Sequence, residues 1–454
     1  MPSRGTKLST PRRGNTGLAE VAAPPSSKRD YAKGQALLMK FALAIHGTRG
    51  DVEPCAAVGL ELQRRGHEVR IAVPPDMLGF VESTGLTPLC YGPDAQAMHE
   101  EDFVHNFWNI KTPLKVVRAG KEYLSQIWAE MGTTLAAVAD GADLLLTGMI
   151  QQGLAANVAE YYDIPLAALH CFPVRVNGRL LPMVPSPVTR TAVSALWWLH
   201  WRMTKAAEDA QRRELGLPPI TTPSTRRITE RDSLDIQAYD ELCFPGLADD
   251  WAKYAGPRPF VGALTMELPT DADDEVASWI AAGTPPIYFG FGSMPVQALA
   301  ETVAMISGAC SRLGERALIC TSANDGTCIP DRGHVKLVRA VNHAAVLPSC
   351  RAVVHHGGAG TTAAGMRAGV PTLILWVTAD QPIWAAQVKR LKVGSARRFS
   401  ATTQESLVAD LLSILTPQYV DRAREVATQM TKPEVSVATA ADLLQETASR
   451  RGAS

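Results

Sequence analysis

The sequence predicts an α/β protein made of two doubly wound parallel-sheet domains facing each other across a cleft. Three observations carry this. Lys40–Val73 reads as strand, polar Gly-containing turn, helix and strand, which is the spacing of a parallel-sheet unit. The same rhythm restarts at Ile287 and runs to Trp376. In both halves a Gly-rich turn follows directly on a strand end, the edge at which such sheets hold ligands.

A chain of 454 residues exceeds one ordinary core, so two domains are expected. With 46% hydrophobic and 20% charged residues, wholesale disorder is excluded. The 45 basic residues are balanced by 45 acidic ones, which leaves no basic surplus for a nucleic-acid partner. Eight scattered cysteines, none in a CxxC pair, read as reduced thiols of a cytoplasmic protein. No apolar run approaches the ~20 residues of a membrane span, so at most peripheral contact with a membrane is expected.

The elements follow in order. Residues 1–39 carry Arg4, Lys7, Arg12, Arg13, Lys28, Arg29 and Lys33 against Glu20 and Asp30, among many Pro, Ser and Gly. This predicts a disordered basic tail, or an over-extended start upstream of Met39. Lys40–His46 is an apolar strand, Gly47–Asp51 a polar turn, Val52–Arg65 a helix and Glu68–Val73 the second strand. Further strands are expected at Leu144–Thr147 and Leu166–His170. The Pro/Gly-rich stretch Phe244–Pro259 and the acidic Asp271–Glu275 read as the joint between halves. Then come Ile287–Phe291, a helix through Leu313, Arg316–Cys320, Val335–Val338, Ala352–His355, a helix from Gly360 to Ala368, and Thr372–Trp376. The expected domains are 40–250 and 251–430, with 431–454 as a C-terminal crossover segment and tail.

The strongest motif is VVHHGGAGTT at Val353–Thr362. Glycines at a strand-to-helix turn let backbone N–H groups approach an anion, and the helix N-terminus adds partial positive charge. Thr361 and Thr362 add hydroxyls, and His356 can donate to a phosphate oxygen. The bland alternative is a tight turn with N-capping threonines. No Walker A loop and no GxGxxG fingerprint are present. A metal held by His355 and His356 is disfavoured, because neighbours on a strand point to opposite faces.

Phe289–Met294 (FGFGSM) offers Gly292 and Ser293 after another strand, and Ala379–Pro382 (ADQP) offers Asp380 and Gln381 for sugar hydroxyls. Asp380 also fits a helix N-cap before Pro382. In the first half, HGTRGDVEP places Asp51 in a Gly-flanked loop. A carboxylate there can accept a hydroxyl proton if burial raises its pKa. It also fits an N-cap, with Pro54 in the first turn, and His46 is a rival base. Aromatic side chains gather in Phe103–Lys115, with Trp108, and in Val193–Met203, where Trp197 and Trp201 share a helix face and Trp198 points elsewhere.

Together, the segments HGTRGDVEPCAAVGLELQRRGHEVRIAVPP, GFGS and HHGGAGTTAAGMRAGVPTLILWVTADQPIWAAQV resemble the inverting nucleotide-sugar glycosyltransferases of the two-domain GT-B type. That family includes antibiotic, sterol and plant natural-product enzymes. The likeness spans residues 40–445 and is nearest to mycobacterial glycopeptidolipid and cell-envelope glycolipid glycosyltransferases. The resemblance implies an N-terminal acceptor-binding domain and a C-terminal nucleotide-sugar-binding domain. It implies donor contacts from Gly292, Ser293, Gly358, Ala359, Gly360, Thr361, Asp380 and Gln381, and stabilisation of the leaving diphosphate by His356. It implies Asp51 as the base. Ala340 stands where plant relatives stack a tryptophan, which leaves the nucleotide base to backbone and apolar contacts, Val341 among them. The donor is expected to be a UDP- or dTDP-linked hexose or deoxyhexose, acting as substrate, with no cofactor and no metal. The one DxD, Asp271–Asp273, lies in the acidic joint. An apolar lipid or lipopeptide acceptor is expected against Trp108, Trp197 and Trp201. A nucleotide-sugar 2-epimerase and a non-catalytic nucleotide-sugar-binding protein remain as alternatives.

Overall fold

The structure is a computed structural model that describes residues 38–95, 127–149, 151–180, 184–291, 299–321, 333–377 and 380–451. Its frame is two parallel six-stranded sheets. The first comprises β1 (Lys40–Ala44), β2 (Glu68–Val73), β3 (Pro88–Cys90), β4 (Leu144–Thr147), β5 (Leu166–His170) and β6 (Leu234–Gln237), in the order β3-β2-β1-β4-β5-β6. The second comprises β7 (Ile287–Gly290), β8 (Ala317–Cys320), β9 (Val335–Val338), β10 (Ala352–His355), β11 (Thr372–Trp376) and β12 (Gly394–Arg398), in the order β12-β11-β10-β7-β8-β9. Central strands such as β4 (LLLT), β7 (IYFG) and β10 (AVVH) are buried at every position. Helices cover both faces of each sheet, which is why these strands are near-continuous apolar runs.

Both sheets reverse their strand order once. In the first the reversal falls between β1 and β4, and in the second between β7 and β10. Ligands bind such open sheets outside the carboxyl ends of the strands at this reversal. The turn carrying Asp51 leaves β1. The HHGG turn leaves β10, which pairs with β7 so that His355 lies opposite Gly290. Topology therefore brings the strongest motifs of the sequence to the ligand edges of their sheets.

Two expected boundaries, at Met39 and at the start of the first helix, are corrected. Met39 is not tail: it is 7% exposed, belongs to the first-sheet core, and its carbonyl accepts from Glu68 N–H at 2.9 Å. The stretch Phe244–Pro259, expected as the joint, lies between β6 and β7 and is packed. Phe244, Leu247 and Trp251 are buried in a cluster with Ile374, Trp384 and Val388 of the second half. The first helix, α1, spans Arg49–Arg64 and so starts earlier than Val52.

Four more helices matter to function: α2 (Ser186–Glu214), α3 (Ala359–Arg367), α4 (Gln381–Leu391) and α5 (Pro433–Arg451). Helix α5 packs against α1 through Ala440, Ala441, Leu444 and Ala448, all in the first-sheet core. Arg65, the C-cap of α1, fixes this contact by bonding Asp442 and Gln445. Helix α5 thus crosses back from the second half to the first, as expected for 431–454.

Candidate active site

Asp51 occupies the third position of α1, and the N-cap is Thr48. The N-cap role expected for Asp51 is therefore corrected. Its carboxylate instead accepts the Thr48 N–H at 3.1 Å, the reciprocal half of a capping box. Pro54 lies inside the helix, not in its first turn. Lacking an N–H, it leaves the Gly50 carbonyl without its helical donor. The Cys171 thiol faces that carbonyl at 3.9 Å, tying the loop after β5 to this turn. Gly47 has φ +152°, and a Cβ there would lie 2.6 Å from Asp51 Cγ. The turn thus needs glycine to let the carboxylate fold back. His46, the rival base, is 8% exposed and its Nε2 bonds the Pro93 carbonyl at 2.9 Å.

Asp51 is partly buried, and its surroundings shift its acidity strongly. Burial is the main cause and the negative charge of Asp380 the second; together they push the carboxyl up to about 7. Asp380 belongs to the other half. It is the N-cap residue of α4, with Pro382 in the first turn, and burial pushes it up to about 6. Two carboxylates, one from each half, therefore feel one another across the cleft. Burial pushes the Cys171 thiol up, and the charges of Asp51 and Asp380 add to this.

Below them lies the HHGG turn. His355 is fully buried, and its Nδ1 accepts the Gly357 N–H at 3.0 Å. It braces the turn from within. Gly357 has φ +100°, and a Cβ there would meet Ile374 Cγ2 at 2.9 Å and Gln381 Cβ at 3.2 Å. Glycine thus lets the HHGG turn press against the start of α4. Gly358 is the N-cap of α3, and a Cβ on it would lie 2.7 Å from His356 Nε2, so the imidazole lies over this residue. Burial holds His356 below its usual pKa, with the Gly290 backbone pulling weakly the other way.

The first intrahelical bond of α3 is Thr362 N–H to the Gly358 carbonyl at 2.9 Å. The N–H groups of Ala359, Gly360 and Thr361 precede it and are open to an anion. The expected start at Gly360 moves back by one residue, to Ala359. Thr362 is not a cap, since its hydroxyl donates to the Gly358 carbonyl at 2.8 Å. Gln381 is 8% exposed, and its Oε1 accepts the Val377 N–H at 2.7 Å, which holds the loop after β11.

Val341 is partly buried against the apolar cluster on one face of the second sheet. The structure gives the DxD segment a clear task. Asp273 accepts from Thr270 N–H at 2.7 Å, from the Thr270 hydroxyl at 2.7 Å and from Asn342 N–H at 2.9 Å. It fastens the segment that carries Val341. Nothing in the DxD spacing announces this role. The sequence also hid a bond between Tyr288 Oη and His343 Nε2 at 2.9 Å, and one from Met266 N–H to Glu53 of α1 at 3.1 Å.

Trp197 and Trp201 turn toward the body of the protein. Trp197 Nε1 donates to the Val174 carbonyl at 2.6 Å, and Trp201 is 8% exposed. The outward aromatic residue is Trp198, at 56% exposure. Trp108, Gly292 and Ser293 lie outside the described residues.

Two facing parallel-sheet domains, with an anion-ready helix start in one and an acidity-shifted carboxylate in the other, define a GT-B glycosyltransferase. Residues 41–175 match the profile described as glycosyltransferase family 28 N-terminal domain. Residues 316–447 match that described as erythromycin biosynthesis protein CIII-like, C-terminal domain. An uncharacterized glycosyltransferase of Mycobacterium tuberculosis (strain ATCC 25618 / H37Rv) is 63% identical over 415 residues, covering 91% of this chain and 100% of the relative. Glycosyltransferase GtfE of Amycolatopsis orientalis is 31% identical over 418 residues, covering 89% and 97%. Among solved structures, the glycotransferase of kitacinnamycin superposes with TM-score 0.69 at 18% identity, covering 90% of this chain and 99% of that one. Glycosyltransferase VinC in complex with dTDP gives 0.61 at 20%, covering 91% and 100%. The chain belongs to this glycosyltransferase family and is a nucleotide-sugar glycosyltransferase.

Proposed function

We propose that this enzyme moves a hexose or deoxyhexose from a dTDP- or UDP-sugar to a hydroxyl of an apolar acceptor, with inversion and without a metal. Asp51 removes the proton from the acceptor hydroxyl. The oxygen attacks the anomeric carbon, the bond from that carbon to the diphosphate breaks, and configuration inverts. The departing diphosphate gathers negative charge, which the N–H groups of Ala359, Gly360 and Thr361, the His356 imidazole and the Ser293 hydroxyl receive. Asp380 and Gln381 orient the donor sugar, and Val341 borders the nucleotide base. The observation that carries the reading is the acidity of Asp51, pushed up to about 7 by burial and by Asp380. A base poised near neutrality is the efficient one. Metal independence is supported by Asp273, whose carboxylate already serves Thr270 and Asn342.

For the acceptor we infer a lipid or lipopeptide of the cell envelope, glycosylated in the cytoplasm at the inner face of the membrane. The apolar outer face of α2 supports this. Replacing Asp51→Asn tests the mechanism. Turnover should fall by about two to four orders of magnitude, while nucleoside diphosphate affinity stays unchanged. Loss of both together, or retained turnover, overturns the assignment.

A further inference from the structure

Helix α2 is 29 residues long, about 43 Å, and presents an unusual outer face. Val188, Leu196, Trp198 and Leu199 are 56%, 66%, 56% and 48% exposed. Ala192, Ala195 and Ala206 are exposed beside them. At 100° per residue these positions fall on one side of the helix, with Arg202 and Thr191 interleaved. Val193, Trp201 and Thr204 lie on the opposite side and are buried. The other exposed large apolar residues, such as Leu38, Leu89, Tyr161, Leu412 and Val435, sit singly on separate elements.

Charge says what meets this face. From Val184 to Ala207 the sequence has no acidic residue; Arg190 pairs with Asp250 and Lys205 with Asp209 further along the helix, and Arg202 is the exposed cation of this face. Arg202, interleaved in the stripe, lies 6.0 Å from the centre of the Trp198 ring. Lys253, half exposed, stands near the start of the helix, where it shares Asp250 with Arg190. An apolar stripe with an indole and an exposed arginine suits an anionic bilayer surface. No described helix is long and apolar enough to cross a membrane, so the geometry is that of a helix lying flat in the interface.

We propose that α2 docks this enzyme on an anionic lipid bilayer through the Val188–Ala206 face. The inner side of α2 gives the docking a use. Trp197 holds the loop after β5 at Val174, and the same loop carries Cys171 beside Asp51. The docked helix therefore sets the acceptor edge of the cleft toward the lipid. Docking itself requires neither donor nor Asp51, so its failure is distinct from failure of the proposed chemistry.

The test is co-sedimentation of the full-length chain with phosphatidylcholine vesicles, with and without phosphatidylglycerol. The native chain should pellet with the anionic vesicles. The double variant Leu196→Ser, Leu199→Ser, which alters only exposed positions, should keep its melting temperature and partition at least about tenfold less. Arg202→Glu should weaken binding to anionic vesicles alone. Three results overturn the proposal. One is no pelleting with anionic vesicles. Another is undiminished pelleting of the double variant, which would assign binding to another surface such as the basic segment before Leu38. The third is self-association of the native chain that the double variant abolishes, which would make the face a contact between copies.

Discussion

At the scale of single residues, the chemistry rests on how two carboxylates share one cleft. Asp51 is held near neutrality partly by Asp380. Removing that negative charge with Asp380→Asn should let Asp51 ionise more easily. The acid limb of the kcat/KM–pH profile should then move to lower pH, whatever happens to donor KM. An unmoved limb would mean that the two groups do not communicate. None of this coupling is legible in the sequence, because the partners lie in different domains and only the fold brings their fields together. Asp51 as a candidate was legible, since a Gly-flanked carboxylate after a first strand has few roles. Its position within the helix was not. Thr48 and Asp51 both suit a helix start, and the reciprocal bond that makes Asp51 the third residue is a matter of backbone geometry.

At the scale of elements, the diphosphate cradle is a strand, a turn and a helix held in register by glycine. Gly357→Ala should strain a backbone at φ +100° and push against Ile374 and Gln381. The expected cost is about 1–3 kcal/mol, read as a lower denaturation midpoint, together with weaker nucleotide binding. Unchanged affinity would argue that the turn is only structural. The elements themselves were legible where burial is complete: β10 and β11 follow their apolar runs residue for residue. Those the sequence concealed are β3, three residues long, β6, whose Asp235 and Gln237 are buried polar groups, and β12, with the polar run GSARR. Asp235 is tolerated because Arg175 pairs with it through two bonds of 2.7 Å, a contact invisible to any pattern of hydrophobicity.

At the scale of the whole molecule, burying titratable groups in the cleft couples stability to pH. Asp51 and Asp380 have folded pKa values of about 7 and about 6, above the ~3.9 of an unfolded aspartate. Between pH 4 and 7 these two sites bind more protons in the folded protein than in the unfolded chain, so their contribution to stability falls as pH rises. Buried His170, lowered to about 3, acts in the opposite direction. The difference between native protein and Asp51→Asn isolates the first effect. The native protein should lose stability relative to the variant as pH rises from 4 to 7, in parallel denaturation curves. A constant difference would mean that Asp51 titrates normally.

The central claim is that the two halves together form a nucleotide-sugar site whose diphosphate rests on the start of α3. Calorimetric titration of the purified enzyme with dTDP, UDP, GDP and NAD, without metal and then with Mg²⁺, tests it most directly. One nucleoside diphosphate should bind without metal, with affinity reduced in His356→Ala and preserved in Asp51→Asn. Binding of none of them, or preference for NAD, would contradict the claim.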